Sequence, residues 1–182
     1  GYDGAQLAFN TDRSMWAVMF DKGVNTAGDT SAGERNTVWM VSLEVSGTTI
    51  TVDTANEVKI DDGNAGGASL RGMFLMYHQG QQCYYAGGFD LGNSMNFTAG
   101  AVQQAADGSF TKSSFTNTSS YQAQSEPGTG ANSDSAYLYD KNSGTMVLHW
   151  QETSSYDGFL TLMNFTGFGA SNSASIRSNG IL

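Results

Sequence analysis

The sequence predicts an all-β fold of short antiparallel strands, and three observations carry that expectation. The composition suits pleated sheets and turns, no long segment has helical periodicity, and a strand–turn–strand unit recurs. Of 182 residues, 39% are hydrophobic and only 14% are charged, against roughly 25% charged in an average soluble domain. The polarity comes from Ser, Thr, Asn, Gln and 23 Gly, and Pro127 is the single proline. Thr, Val, Tyr, Phe and Trp fit a half-buried pleated surface, while Gly, Asn, Asp and Ser fit turns. No long stretch carries the i, i+3, i+4, i+7 apolar spacing of an amphipathic helix.

The repeat is read by setting Phe9-Asn10-Thr11-Asp12-Arg13-Ser14-Met15-Trp16-Ala17-Val18-Met19-Phe20-Asp21 beside Tyr139-Asp140-Lys141-Asn142-Ser143-Gly144-Thr145-Met146-Val147-Leu148-His149-Trp150-Gln151. The two align without a gap at an offset of 130 residues. Each has an aromatic, a polar stretch rich in Asn and Asp, then an apolar run, which is the pattern of a β-hairpin. A drifted third copy is expected between them. It runs from Leu70 to Tyr77, turns at His78-Gln79-Gly80-Gln81, a turn read as shorter than in the other two, and returns through Gln82 to Gly87. An uninterrupted apolar run such as Met15–Phe20 suits a strand covered on both faces.

Each hairpin is followed by further strand-like segments. After the first, Val38–Val45 alternates, with Trp39, Val41 and Leu43 on one face and Ser42 and Glu44 on the other, and the turn Ser46-Gly47 leads to Thr49–Asp53. The middle copy offers Met95–Val102 and Ser109–Phe115, and the third offers Phe159–Phe165 and Ala174–Arg177. Turn-rich connectors at Asp61–Gly67 and Ser125–Gly130 divide the chain into repeats at 1–62, 67–124 and 131–182. About four short strands in each unit fit the size of a propeller blade. Three blades are too few to close a ring, since propellers use about four to eight. The expectation is therefore a partial propeller, completed by oligomerisation or by a longer chain. A β-sandwich or jelly roll is the alternative architecture.

The pattern carried by Phe9–Asp21 with Val41–Val52, including Val45-Ser46-Gly47-Thr48-Thr49-Ile50, and by Tyr137–Gln151 with Asp157–Phe168, resembles a repeat of bacteriophage tail-fibre and other virion-associated proteins. Those repeats look like blades of sialidase- or Kelch-like β-propellers. The resemblance implies a non-catalytic structural or attachment component of a virus particle, located on the virion or outside the cell. Its implied partners are other virion subunits, further copies of the chain and host surface polysaccharide. It transfers no catalytic residue. The "Asp-box" turn of sialidase blades, Ser-x-Asp-x-Gly-x-Thr-Trp, is not met: Ser155-Tyr156-Asp157-Gly158 lacks the spacer and the Trp.

Charge and motifs narrow the function classes. A formal charge of −9 and a pI near 4.3 disfavour phosphate backbones and anionic membranes as partners. No apolar run approaches the roughly 18 residues of a membrane span. The Gly1-Tyr2-Asp3-Gly4 start, without Met or a basic leader segment, suggests a processed product or a piece of a longer chain. Cys83 is the lone cysteine, so no internal disulfide forms, and its Tyr-rich surroundings point to a buried strand position. His78 and His149 have no Cys or His at zinc-ligand spacing, so no metal or cofactor is expected. Asp61-Asp62-Gly63-Asn64 could offer oxygens to calcium but lacks EF-hand spacing, and a polar linker accounts for it.

Glycoside hydrolysis would need a convergent carboxylate pair, for which Asp21, Glu34, Asp90, Glu126, Glu152 and Asp157 are the candidates. A sialidase would also need clustered arginines, and Arg13, Arg35, Arg71 and Arg177 are spread over the units. Solvated loop acids are the simpler account, and a glycan-processing hydrolase stands as the alternative function, beside a secreted adhesin or surface-layer module. Aromatics near turns could stack on sugars, although aromatics in strands more often build core. The ligand-binding candidates are Tyr84, Tyr85, Tyr156 and Asp157, with Tyr2 and Tyr121 also near turns.

Overall fold

The computed structural model describes residues 5–22, 37–60, 70–90, 96–113, 115–122, 136–140, 143–151, 158–169 and 174–181. The chain is all-β. Strands β1 (Gln6–Asn10), β2 (Met15–Lys22), β3 (Thr37–Ser46) and β4 (Thr49–Lys59) form one antiparallel sheet in chain order. Strands β5 (Leu70–His78), β6 (Cys83–Asp90), β7 (Asn96–Gln104) and β8 (Phe110–Lys112) form a second, in which β9 (Thr116–Gln122) also pairs with β7. Strands β10 (Ala136–Asp140), β11 (Thr145–Gln151), β12 (Gly158–Phe165) and β13 (Ala174–Ile181) form the third. Among the described residues the only helical element is a 3₁₀ turn at Gln79–Gln81.

The first and third sheets are meanders of neighbours in sequence, the second is a meander through β8 with β9 returning to β7, and among the described residues no strand crosses from one sheet to another. The jelly-roll alternative, in which strands alternate between sheets, is therefore not the order observed. The three sheets fall within the three repeats read from the sequence.

The three hairpins match residue for residue. Asn10 pairs with Met15, His78 with Cys83, and Asp140 with Thr145, so each loop holds four residues. The middle turn is not shorter, as the sequence suggested. His78 belongs to the strand, and Gln82 to the loop. In all three loops the last residue takes positive φ: Ser14 at 54°, Gln82 at 51° and Gly144 at 64°. That left-handed step is what glycine accepts most readily, and only the third copy supplies it.

The sheets stack face to face. One core cluster joins the first and second sheets through Ala17, Met19 and Met40 on one side and Leu75, Tyr84 and Ala86 on the other. Another joins the second and third through Phe74, Met76 and Tyr85 against Met146, Leu148 and Phe165. The second sheet is thus buried on both faces, which explains its nearly continuous apolar strands. At one edge the leading strands converge: β1 and β5 lie side by side, β10 lies against β5, and the Tyr137 hydroxyl on β10 donates to Gln6 Oε1 on β1 at 2.9 Å.

Two glycines make the close approaches of the middle sheet possible. A Cβ on Gly87 would sit 2.8 Å from Phe74 Cε1 and 2.9 Å from Ala99 Cα. On Gly100 it would sit 2.5 Å from Phe115 Cδ2, whose ring covers the gap where β7 changes partner from β8 to β9.

Candidate interaction surfaces and interlayer seams

A polar seam lies inside the apolar contact between the first and second sheets, with the buried Gln104 side chain at its hub. Its Oε1 accepts from Asn10 Nδ2 at 3.0 Å and from the Tyr84 hydroxyl at 2.8 Å, filling both lone pairs. Its Nε2 donates to Ser42 Oγ at 2.7 Å, and Ser42 Oγ donates on to the Gly108 carbonyl at 2.5 Å. Arg13 Nε closes the edge on the Gln104 carbonyl at 3.1 Å. Every donor points one way along this chain, and buried polar atoms paired in this manner fix a unique register between layers. Asn10 also caps its own turn, accepting from the backbone N–H groups of Asp12 and Arg13.

The seam between the second and third sheets is built on equivalent positions and different chemistry. His78 replaces Asn10, and its Nδ1 accepts from the Gln81 backbone N–H at 3.3 Å. The Tyr85 hydroxyl donates to Gln81 Oε1, Gln81 Nε2 donates to the Phe165 carbonyl at 3.3 Å, and the Tyr85 ring stacks on Phe165 at 4.0 Å. Tyr139 corresponds to Tyr77 of the preceding repeat. The Tyr77 hydroxyl donates to Asp12 at 2.6 Å, across the first seam. The residue matching Asp12 in the next repeat is Gly80, which has no side chain to accept. The Tyr139 hydroxyl is accordingly buried without a hydrogen-bond partner.

These seams take up Arg13, His78, Cys83, Tyr84 and Tyr85 of the side chains singled out from sequence. Tyr84 and Tyr85, read as stacking platforms for a sugar, have no exposed surface, so neither ring offers a face to a ligand. The error follows from adjacency: neighbouring strand residues point to opposite faces, and here both faces are core. Burial pushes both phenols up in pKa. Cys83 is wholly buried in the second seam, as its surroundings suggested, and burial pushes its thiol up as well. Tyr156, Asp157, Tyr2, Glu34, Glu126, Glu152, Arg35 and the Asp61–Asn64 segment lie outside the described residues. Asp21 is the penultimate residue of β2 in the first sheet and Asp90 ends β6 in the second. Arg71 lies on β5, Arg177 on β13 and Tyr121 on β9. Among the described residues no group of three His, Cys, Asp or Glu could hold a metal ion.

What sequence reasoning missed is the direction of the first sheet. Ser42 sits on the face that packs against the second sheet and is fully buried. Val38 and Met40 share that inner face, while Trp39, Val41 and Leu43 are on the outer one, where Val41 is buried. Register places Leu7 opposite Val18, Phe9 opposite Trp16, Trp16 opposite Leu43, and Leu43 opposite Val52 on this outer face. Val45 and Ile50 extend it. Leu7 is 55% exposed, Val45 52% and Ile50 64%, and neither core cluster reaches this face. A contiguous apolar sheet face of this kind marks an interaction surface. Alternation in β3 separated Ser42 from Trp39, Val41 and Leu43, but the buried seam draws Ser42 inward beside Val38 and Met40.

At the other end of the stack, the outer face of the third sheet carries Leu138, 74% exposed, opposite Val147, with half-buried Leu162 and His149 alongside. Comparison with family models, curated proteins and solved structures gives no match to this chain.

Proposed function

We propose that the chain is a non-catalytic structural and attachment module of a virus particle. In this reading its three sheets are blades of an incomplete propeller that binds neighbouring subunits through its free sheet faces. The observation that carries the reading is the apolar outer face of the first sheet, on which Leu7, Val45 and Ile50 are exposed, in a chain whose buried Asn10, Ser42 and Gln104 serve layer-to-layer packing. The virion assignment is supported by the likeness of the hairpin repeat to tail-fibre repeats. The in-order pairing of β1–β4, β5–β8 and β10–β13 and the convergence of β1, β5 and β10 at one edge support the propeller arrangement, in which leading strands lie innermost.

Loops connecting strands would then carry any contact with host surface polysaccharide. Retention of the purified chain on immobilised bacterial surface polysaccharides, scored beside co-sedimentation with virus particles stripped of their fibres, tests both roles. Binding to particles with or without glycan retention is expected. Hydrolysis of the polysaccharides by the purified chain, or no association with any particle or glycan, would overturn the reading.

A further inference from the structure

The repeat gives the stack a direction, and that direction identifies what fits the free face. In the second sheet the residue pairs Leu75–Ala86 and Tyr77–Tyr84 face the first sheet. In the third sheet the equivalent pairs, Tyr137–Leu148 and Tyr139–Met146, face the second. Each sheet therefore seats the same face on the sheet before it. The equivalent pairs of the first sheet, Leu7–Val18 and Phe9–Trp16, are on the outer face, with no sheet of the described residues before them.

The aromatic pair makes the comparison concrete. Phe9 and Trp16 have ring centroids 4.9 Å apart, and Tyr77 and Tyr84 lie 5.0 Å apart. Tyr84 is sealed beneath the first sheet, whereas Phe9 is 38% exposed.

The opposite faces tell the same story. The face of the first sheet that receives the second presents Ala8 opposite Ala17, and Asn10 opposite Met15. The second sheet receives the third with Met76 opposite Tyr85, and His78 opposite Cys83. In the third sheet the matching pairs are Leu138–Val147 and Asp140–Thr145. They keep the layout of an apolar pair inboard and a polar strand-end residue at the turn, and Leu138 is exposed. Among the described residues, one chain thus ends in a seating face and a receiving face that no further sheet covers, each of the type its internal sheets already join.

We propose that the occupant of the first sheet's outer face is the third sheet of a second copy of this chain. The contact is head-to-tail, and two copies close on each other through two identical contacts, giving six sheets. A heterologous contact of this kind closes when the rotation permits, and six lies within the range of about four to eight blades seen in closed propellers. This deepens the assembly reading above and rests on it.

Sedimentation equilibrium of the full chain and two variants tests the proposal. Leu7→Glu spoils the seating face and Leu138→Glu the receiving face. Both side chains are largely exposed, so far-ultraviolet circular dichroism should show both variants folded. The wild type is expected at twice its 19.3 kDa monomer mass, and each variant alone at half the wild-type mass. An equimolar mixture of the two variants should regain a two-chain species, because one intact seating face then meets one intact receiving face.

A wild type that stays monomeric overturns the proposal. So does a Leu138→Glu protein that remains dimeric, which would mean the first sheets pack on each other. Absence of complementation in the mixture, or a ladder of species beyond two chains, also overturns it. These outcomes are independent of polysaccharide or particle binding: a monomer that still binds particles removes the self-association alone, and a dimer that binds neither removes the attachment reading alone.

Discussion

Replacing Gln104 by Met keeps a side chain of similar length and removes the three hydrogen bonds that the Gln104 side chain makes at the centre of the first seam. Two buried donors, Asn10 Nδ2 and the Tyr84 hydroxyl, lose their acceptor, and Ser42 Oγ loses its donor. A stranded buried polar group costs about 1–3 kcal/mol. With two donors orphaned, the expected loss of stability is about 3–5 kcal/mol, a large part of the roughly 5–15 kcal/mol that a domain possesses. The assay is urea unfolding followed by tryptophan fluorescence and far-ultraviolet circular dichroism. A two-mutant cycle isolates the cause. Tyr84→Phe alone removes one donor and leaves Gln104 Oε1 with Asn10 as its one partner, whereas in the Gln104→Met background it removes an orphan. The phenylalanine substitution should therefore cost stability in the wild type and restore some in the variant, by about 1 kcal/mol or more. If Gln104→Met costs under about 1 kcal/mol, or Tyr84→Phe has the same effect in both backgrounds, the seam does not hold the first two sheets in register.

Other substitutions and titrations follow from the same geometry. Tyr139→Phe removes a hydroxyl that has no partner and installs the residue type found at the matching position Phe9, so it should leave stability unchanged or raise it by up to about 1 kcal/mol in urea unfolding. Gly87→Ala places a methyl against the Thr98 carbonyl and the Phe74 ring; backbone must move, and a loss of about 3 kcal/mol or more is expected by the same assay. Burial raises the pKa of Tyr84 and Tyr85, and Tyr139 is pushed up to about 12. Above the unfolded value of about 10 the unfolded chain has released these protons while the folded chain still holds them, so stability falls with rising pH. The contribution is whole below about pH 10 and is lost as pH climbs toward the folded values. Tyrosinate absorbance should therefore rise together with loss of circular dichroism, and tyrosines that ionise near pH 10 while the sheet signal persists would contradict it.

Much of the architecture was legible because hairpin chemistry is local. The gapless match of Phe9–Asp21 with Tyr139–Gln151 found β1–β2 and β10–β11, and the turn-rich connectors separated the three sheets. The middle hairpin was blurred because its left-handed turn residue is Gln82, which gives no glycine or asparagine signal, and because His78 looks like a turn residue while capping the turn from within the strand. Which face of a strand meets another sheet is a long-range property. Ser42 read only as lying on the face opposite Trp39, Val41 and Leu43, because its partners, Gln104 and Gly108, are more than sixty residues away. Tyr84 and Tyr85 read as exposed platforms for the same reason: only the stacking of sheets on both sides makes two consecutive tyrosines core. The lone cysteine was legible, since a Tyr-rich strand without cationic neighbours is an inert setting for a thiol.

The central claim is that the three repeats stack in one direction with the β5–β9 sheet enclosed between the other two. Native-state amide hydrogen exchange measures this enclosure strand by strand, because amides in doubly covered layers exchange only through global opening. The account expects the amides of β6 and of β7 from Phe97 to Val102 to be the slowest in the chain, with exchange free energies equal to the global unfolding value from urea. Amides of β6 that exchange through local fluctuations, as fast as those at the edge strands β4 and β13, would contradict it.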